Sequence, residues 1–301
     1  LHILAVLKYL EKVGDYVLNI GEQAIYLTSG RRLKFGQFQQ LDEMLGKASA
    51  ESGFAPYMDG ISGAVVARVG NGVPLLYKEG LKRKIAEEVA KSAAWRSIDR
   101  SLTPKVLTTT SYQDRQALLR EYVDGALLSD LYFEDGDSEL ELSVTELLCQ
   151  TLRHLWTRTL VHRPPELNYV QQIEDRLTEV YSVHPDLRRL SSSRVRYRGG
   201  TCLPLRQQLE RALGLEPELA PPFSVWLHGD FNPNNVVYNR HDRALKFIDI
   251  HRSHFGDYLQ DVTVFLVGLR REPEISNIQR RQLRLVESLL TDAARDFAAE
   301  H

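Results

Sequence analysis

Apolar side chains recur along the chain with two different periods, which separate helical stretches from strand-forming ones. From residue 1 to about 29 they recur every three or four positions, which predicts one amphipathic helix. A second helix is predicted from about Gln37 to Ser52. Residues 64–69 and 73–78 are typical of two strands, joined by Asn71-Gly72, a dipeptide that favours a hairpin turn. Lys78 is expected at the end of the second strand.

The rest of the chain continues with helices and short strands. A helix is predicted from Lys82 to Ser97, then strands at 105–110 and 117–123, then a helix from about Val144 to Leu160. Further predicted elements are a loop at 194–203, a hairpin formed by 235–238 and 245–250, and helices at 262–269 and 278–299. This succession favours an α+β fold, with strands concentrated in the first half and helices in the second.

Composition narrows the class of protein. The 301 residues carry a formal net charge of −2 and a hydrophobic fraction of 43%, as expected of a soluble globular protein without a nucleic-acid partner. No apolar run approaches the roughly 18 residues of a membrane span, so no membrane insertion is expected. Cys149 and Cys202 are too far apart and too few to form a disulfide framework, which favours a reducing, cytoplasmic setting. A start at Leu1 rather than Met suggests a fragment of a longer protein.

The residue types with chemical potential gather in one stretch of the chain. Asp230 lies on a predicted loop, Asn235 follows five residues later, and Asp249 comes after a short hairpin. A carboxylate can orient a hydroxyl group and take its proton, whereas Asn and Asp oxygens suit Mg²⁺. The hairpin is expected to bring Asn235 and Asp249 close together. These are the groups that phosphoryl transfer needs, since that reaction depends on positioning and charge neutralisation.

The segments HGDFNPNN (228–235), FID (247–249) and GDYLQD (256–261) resemble the signature of the aminoglycoside phosphotransferase and choline kinase family, which is related to the protein kinases. The resemblance extends over about 55–290. It implies a two-lobed, protein-kinase-like fold with a small β-rich N-lobe and a larger, mostly helical C-lobe. It also implies these roles: Asp230 as catalytic base, Asn235 and Asp249 as Mg²⁺ ligands, His228 as a brace of the catalytic loop, and Asp261 as an acid that supports the same loop.

The same resemblance implies an ATP site in the N-lobe. Lys78 would contact the phosphates and pair with a carboxylate on the next helix, for which Glu87 and Glu88 are both candidates and Glu88 is preferred. Two further pairs would complete the site: Gly60 and Gly63 as a backbone cradle for phosphate, and the backbone of Glu121 and Val123 at the adenine edge. Backbone contacts do not separate ATP from GTP, so GTP is not excluded.

The N-terminal helix resembles a different family. Residues 10–30, from Leu10-Glu11-Lys12 onwards, are similar to the last helix of PhoU-type proteins, which are helical bundles tied to phosphate uptake. That resemblance implies Glu11 and Asp15 as ligands of a second metal site, and four-residue spacing does place both on one helical face. One helix cannot complete such a site. A homodimer through this helix is the partner that its amphipathic face suggests.

These observations divide the chain into three predicted parts: a helical extension at 1–53, the N-lobe at 54–123 and the C-lobe at 124–301. The preferred function is an ATP- and Mg²⁺-dependent phosphotransferase that acts on a hydroxyl group of a small molecule. The alternative is a catalytically weak or inactive nucleotide-binding module linked to phosphate sensing, which the unusual residues after Asp249 mildly favour. A protein-directed kinase ranks below both. His251 and His254 are poorly spaced for a zinc site and are interpreted as solvated loop residues.

Overall fold

The computed structural model describes most of the chain after residue 53. The described residues are 13, 16–17, 19–21, 54–59, 65–69, 75–112, 114–133, 137–197, 200–271 and 276–301. They belong to two compact units. Unit 1 combines Leu1–Asp137 with Pro233–Arg252, and unit 2 combines Ser138–Asn232 with Ser253–His301. The predicted division at 53 and 123 stays a prediction.

Unit 1 contains two sheets and two helices. Its elements are β1 (Phe54–Asp59), β2 (Val65–Val69), β3 (Leu75–Leu81), α1 (Lys82–Ile98), β4 (Val106–Tyr112), β5 (Arg115–Glu121), β6 (Ala126–Leu127), α2 (Leu128–Phe133), β10 (Val236–Asn239) and β11 (Ala244–Phe247). The first sheet is five-stranded and antiparallel, in the order β1-β2-β3-β5-β4, and the second is three-stranded, in the order β11-β10-β6.

Helix α1 buries one face against the rest of unit 1, and that face contains a charged residue, Glu88. Ile85, Glu88, Ser92 and Trp95 recur every three or four positions and are all buried. Trp95 is fully buried and meets the ring of Phe247 edge to face, with centroids 5.5 Å apart. The helix therefore carries Glu88 inward and is tied through Trp95 to strand β11.

The β10–β11 hairpin is held by its turn and by a close approach to β6. The side chain of Asn239 accepts hydrogen bonds from the backbone N–H groups of His241 and Asp242, at 2.8 and 3.0 Å, which closes the polar turn. Gly125, just before β6, has a φ of +138°, and a Cβ there would lie 2.4 Å from the carbonyl oxygen of Tyr238. Only glycine fits this approach.

Unit 2 is mostly helical. Its elements are α3 (Ser138–Thr159), α4 (Tyr169–Val183), α5 (Pro185–Ser191), β7 (Val195–Tyr197), β8 (Gly200–Cys202), α6 (Leu205–Leu215), β9 (Val225–Leu227), β12 (His254–Gly256), α7 (Tyr258–Leu269) and α8 (Asn277–Glu300). Trp156, Tyr258 and Phe297 form the centre of its core, with neighbouring ring centroids 5.0 to 5.2 Å apart. Strands β9 and β12 pair antiparallel, and β9 leads into the loop that contains Asp230.

Several predicted elements need correction. Lys78 lies in the middle of β3 and not at its end, because the strand continues to Leu81. Strands β7 and β8 pair antiparallel within 194–203, where a loop was predicted, and α3 begins at Ser138, six residues before the predicted start. Strand β1 was not predicted, since Pro56 interrupts its pattern. The Asn71-Gly72 turn and the helix at 37–52 lie outside the described residues.

Candidate active site

Lys78 joins three parts of unit 1 through its side chain. Its Nζ is 2.8 Å from Glu88 Oε2 on α1, and it donates a hydrogen bond of 2.5 Å to Asp249 Oδ1 after β11. The side chains of Lys78 and Glu88 are 12% and 4% exposed, and that of Asp249 is 44% exposed. Residues that are up to 171 positions apart in sequence thus form one ion-pair cluster.

Glu88 and not Glu87 faces Lys78. Glu87 is the preceding residue of α1, and its half-exposed side chain forms an exposed ion pair with Arg83, with 3.3 Å between Oε1 of Glu87 and Nη1 of Arg83. Such surface pairs contribute little to stability, about 0–1 kcal/mol. The structure therefore places the preferred candidate of the two in contact with the strand lysine.

Asp249 and Asn235 lie at the open end of the β10–β11 hairpin. Val236 pairs with Phe247, and the backbone N–H of Ile248 donates to the carbonyl oxygen of Asn235 at 3.0 Å. The hairpin thus brings the residue before Asp249 into contact with Asn235. Asp249 has a φ of +55°, a left-handed conformation that is uncommon outside glycine. Strain of this kind is often stored at functional sites, which makes Asp249 a candidate on backbone grounds as well.

The charges of the cluster stabilise one another. Burial alone would raise the pKa of Asp249, but the Lys78 ammonium and the Arg120 guanidinium outweigh it and lower that pKa to about 2. Burial alone would lower the pKa of Lys78, but the carboxylates of Glu88 and Asp249 outweigh it and raise that pKa. Both side chains are therefore charged at neutral pH, and Asp249 is in the ionised form that a hard cation binds.

The donor atoms fit Mg²⁺ with few protein ligands. Asp249 supplies an ionised carboxylate, and Asn235, which is buried, supplies an amide oxygen. Among the residues that the structure describes, no group of three or more His, Cys, Asp or Glu side chains could hold a metal ion. Mg²⁺ keeps several waters and takes the rest of its ligands from substrate phosphates, so one carboxylate and one amide are an adequate protein contribution.

In unit 2, the loop that contains Asp230 is anchored by Asp261. The backbone N–H of His228 donates to Asp261 Oδ2 at 2.7 Å, and that of Gly229 donates to Asp261 Oδ1 at 2.9 Å. Gly229 has a φ of +80°, which glycine adopts without a steric penalty. Asp261 lies in the first turn of α7, so a rigid helix fixes the two residues that precede Asp230.

Three further contacts hold the same loop. The backbone N–H of Asp230 donates to Nδ1 of His228 at 3.3 Å, and the hydroxyl of Ser253 donates to the carbonyl oxygen of His228 at 3.2 Å. Phe231 is fully buried, and its ring centroid lies 5.3 Å from that of Phe265 on α7. Asp230 therefore has a fixed backbone while its side chain stays partly exposed, as a proton-accepting group requires.

Burial of Asp261 raises its pKa to about 7, although the hydrogen bonds from the N–H groups of His228 and Gly229 act in the opposite direction. The protonated form is thus favoured in the folded protein. Stability from this group is fully present below the ordinary carboxyl pKa and is lost as the pH rises through about 7. The loop that carries Asp230 therefore rests on a group that titrates near neutrality.

An Asp261→Asn variant should lack this pH dependence. Relative to the wild type, its free energy of unfolding should improve by at least about 1 kcal/mol between pH 4 and pH 8, because only the wild type must ionise a buried carboxyl group. Urea unfolding of both proteins at a series of pH values measures the difference. Asp242→Asn, in an exposed turn, is the control. Parallel stability curves for wild type and Asp261→Asn would contradict the expectation.

The other predicted site residues are only partly placed. Glu121 ends β5, where its Oε2 accepts a hydrogen bond of 2.9 Å from the backbone N–H of Lys105, and Val123 follows in an irregular segment. Four predicted residues lie outside the described part of the chain: Gly60, Gly63, Glu11 and Asp15. Their roles stay predictions.

Arg120 is the cluster member that sequence reasoning missed. It lies on β5 opposite Leu76 of β3, with Leu118 opposite Lys78, so Arg120 faces the same side of the sheet as Lys78. Its Nη1 donates to Glu88 Oε1 at 3.2 Å. The available signal was its position two residues after Leu118, in a strand that is otherwise apolar at its centre. We call Lys78, Glu88, Arg120 and Asp249 the Lys78 cluster.

Comparison with known proteins supports a single family. A family model described as the phosphotransferase enzyme family matches residues 78–297. No curated protein matches the chain in sequence. The matched range does not include residues 1–35, so the PhoU resemblance stays a prediction.

Solved structures give the fold. The crystal structure of aminoglycoside-3'-phosphotransferase of type VIII matches with a TM-score of 0.54 at 19% identity, over 83% of this chain and 98% of that one. A thermostable mutant of aminoglycoside phosphotransferase APH(4)-Ia, in a ternary complex with AMP-PNP and hygromycin B, matches with a TM-score of 0.51 at 18% identity, over 82% and 89%. A Plasmodium vivax ethanolamine kinase matches with a TM-score of 0.47 at 12% identity, over 85% and 76%. The first two likenesses confirm the predicted α+β, kinase-like fold.

Proposed function

Because the chain belongs to the phosphotransferase enzyme family, we propose that it transfers the γ-phosphoryl group of ATP to a hydroxyl group of a small molecule, with Mg²⁺ as cofactor. One observation carries the proposal. Lys78, Glu88 and Asp249 come from a strand, a helix and a loop, and both carboxylates lie within 2.8 Å of the Lys78 ammonium in a partly buried, charged cluster. A cation such as the Lys78 ammonium is suited to contact phosphate, and an ionised carboxylate such as Asp249 is suited to bind a metal ion.

Each predicted site residue of unit 1 then has a proposed role in nucleotide binding. Lys78 contacts the phosphates, and Glu88 holds Lys78 in place. Asn235 and Asp249 would hold Mg²⁺, which supplies neutralisation of the phosphate charge when it is bound. The backbone of Glu121 and Val123 binds the base, an arrangement that leaves GTP open as an alternative to ATP. Gly60 and Gly63 are proposed as the phosphate cradle.

Asp230 is the proposed base for the acceptor. It orients the hydroxyl group and takes its proton as the oxygen attacks the γ-phosphorus and the bond from that phosphorus to the bridging oxygen of ADP breaks. His228 and Asp261 keep its loop in one conformation through the hydrogen bonds described above. A carboxylate that is held rigidly by neighbours contributes positioning as well as basicity.

The bound AMP-PNP and hygromycin B of one similar structure support a nucleotide and a small hydroxyl-bearing acceptor for this chain as well. The acceptor is proposed to lie against the helical region at 166–219 of unit 2. This region is rich in arginine, which would suit an anionic acceptor: Arg176, Arg188, Arg189, Arg194, Arg196, Arg198 and Arg206. Solvated helix faces are the competing interpretation of these residues.

Two coarser features of the protein are proposed alongside. A cytoplasmic location agrees with two free cysteines. Separately, within the described part of the chain no helix is long and apolar enough to cross a membrane. A homodimer through the N-terminal helix agrees with the exposure of Val13, Tyr16, Val17 and Ile20, which are 57–68% exposed. The regulatory module without turnover is not favoured by the family match.

Two measurements test the proposal: formation of a phosphorylated product by the wild type, and nucleotide binding by a variant that lacks the charge of Lys78. Wild-type protein is incubated with Mg²⁺, ATP and a panel of small hydroxyl compounds, and mass spectrometry detects the addition of one phosphoryl group. Lys78→Met should weaken binding of Mg²⁺–ATP on the order of 30-fold, because it removes one partner of a buried charge cluster. Lys84→Met, at an exposed position of α1, is the matched control. Absence of any nucleotide binding by the wild type would overturn the proposal.

A further inference from the structure

Arg120 is a buried charge whose presence stability does not explain. The residue is 6% exposed, and its only described ion pair is with Glu88, whose other oxygen already contacts Lys78. Among the described residues its Nε–H has no hydrogen-bond partner, although it is buried. Buried charged groups with incomplete hydrogen bonding cost free energy, and replacement of a whole buried ion pair by apolar residues of similar volume is often neutral or stabilising. This makes a functional reason for Arg120 worth seeking.

Glu88 divides its two oxygens between two cations. Oε1 accepts from Arg120 Nη1 at 3.2 Å, and Oε2 lies 2.8 Å from Lys78 Nζ. Arg120 therefore restricts Glu88 to one contact with Lys78, and its positive charge repels the Lys78 ammonium. Both effects weaken the hold of Glu88 on Lys78 without releasing it.

The charges of the Lys78 cluster balance before any ligand binds. Lys78 and Arg120 contribute two positive charges, and Glu88 and Asp249 contribute two negative ones. If a divalent cation occupies Asp249, Lys78 loses that partner, and its ammonium must then find another acceptor. With Arg120 on Oε1 of Glu88, Lys78 keeps only the contact with Oε2, and the phosphate oxygens of a nucleotide can replace the contact with Asp249.

We propose that Arg120 is a positioning residue for nucleotide binding, which occupies one oxygen of Glu88 so that Lys78 can pass from Asp249 to the phosphates. The inference rests on the proposed function, because it needs a nucleotide at Lys78 and a cation at Asp249. It assigns Arg120 no contact with the substrate. Its effect on nucleotide binding is transmitted through Glu88 and Lys78, in addition to the effect of its charge on Asp249.

The first measurement is calorimetric titration of Mg²⁺–ATP into the full chain and into Arg120→Met, which removes the charge at similar volume. Below the melting temperature of both proteins, the dissociation constant should rise about 10-fold, as expected for a residue that orients a binding group. A purely structural role would lower the melting temperature, because Glu88 loses one of its two cations, and would leave the affinity of the folded protein unchanged. Wild-type affinity in Arg120→Met therefore overturns the inference. Absence of binding by the wild type overturns the proposed function with it.

A double-mutant cycle tests whether the effect passes through Lys78. In a Lys78→Met background, adding Arg120→Met should change the affinity for Mg²⁺–ATP by less than about twofold, because the group that Arg120 acts upon is gone. A full 10-fold additional loss would show that Arg120 acts on the nucleotide directly and would overturn the inference. Arg120→Lys, which keeps the charge without the fork of donors, should bind with intermediate affinity and serves if the methionine variant does not fold. An affinity in Arg120→Lys equal to that of the wild type would contradict the requirement for the guanidinium.

Discussion

An Asp230→Asn variant should bind Mg²⁺–ATP with unchanged affinity and turn over about 1000-fold more slowly than the wild type, the loss expected when a general base is removed. The amide has the shape of the carboxylate and keeps an oxygen that can accept from Asn232, whose Nδ2 is 3.4 Å from Asp230 Oδ1. The hydrogen bonds that hold the loop do not use the side chain of Asp230, so they remain in the variant. The substitution therefore removes proton acceptance and little else.

The measurement is paired. Calorimetric titration gives the nucleotide affinity, and release of ADP in the presence of an acceptor gives kcat. Asp242→Asn makes the same chemical change at an exposed turn and should leave both quantities unchanged. Full turnover by Asp230→Asn would remove Asp230 from its assigned role. A parallel loss of nucleotide affinity would mean that the loop had been disturbed, and Asp261→Asn would then show the same loss.

The sequence could bring together those predicted site residues that are close to one another along the chain. Asp230, Asn235 and Asp249 lie within 20 residues, and the polar turn between β10 and β11 indicates the hairpin that brings Asn235 towards Asp249. The pairing of Val236 with Phe247 matches that expectation. Only one of two adjacent helical residues can face the sheet, so the sequence limited the partner of Lys78 to Glu87 or Glu88 without deciding between them.

Other contacts could not be predicted because they depend on distant packing. The hydrogen bond between Lys78 and Asp249 joins residues 171 positions apart, and no periodicity encodes such a distance. Arg120 is similar. A charged residue at the end of an apolar strand is usually exposed, and only the pairing of β5 with β3 places it beside Glu88. The pairing of β7 with β8 was missed because each strand is three residues long, and Val195, Arg196 and residues 200–202 are exposed, so they carry no hydrophobic pattern.

An Asp249→Asn variant should lose at least about 100-fold in affinity for ATP when Mg²⁺ is present, because loss of a charged ligand should cost at least as much as loss of its supporting partners. Without Mg²⁺ the effect should vanish or reverse. In the wild type, Asp249 holds Lys78 through a 2.5 Å hydrogen bond, so Lys78 must leave a partner before it can contact phosphate. The neutral amide holds an ammonium less strongly than a carboxylate does, which leaves Lys78 more available.

The dependence of the effect on Mg²⁺ separates metal binding from every structural explanation. Titrations of ATP into wild type and Asp249→Asn, each with excess Mg²⁺ and again with EDTA, give four affinities, and Asp242→Asn should match the wild type in both conditions. An equal loss in both conditions would assign Asp249 to folding or to direct nucleotide contact and remove it from the metal site. Melting temperatures of the same samples are needed as well: Asn tolerates the φ of +55° as Asp does, but it lacks the charge that Lys78 and Arg120 stabilise, so a moderate decrease is expected. A loss of affinity that requires Mg²⁺, in proteins that are folded at the temperature of the titration, leaves metal coordination as the role of the carboxylate.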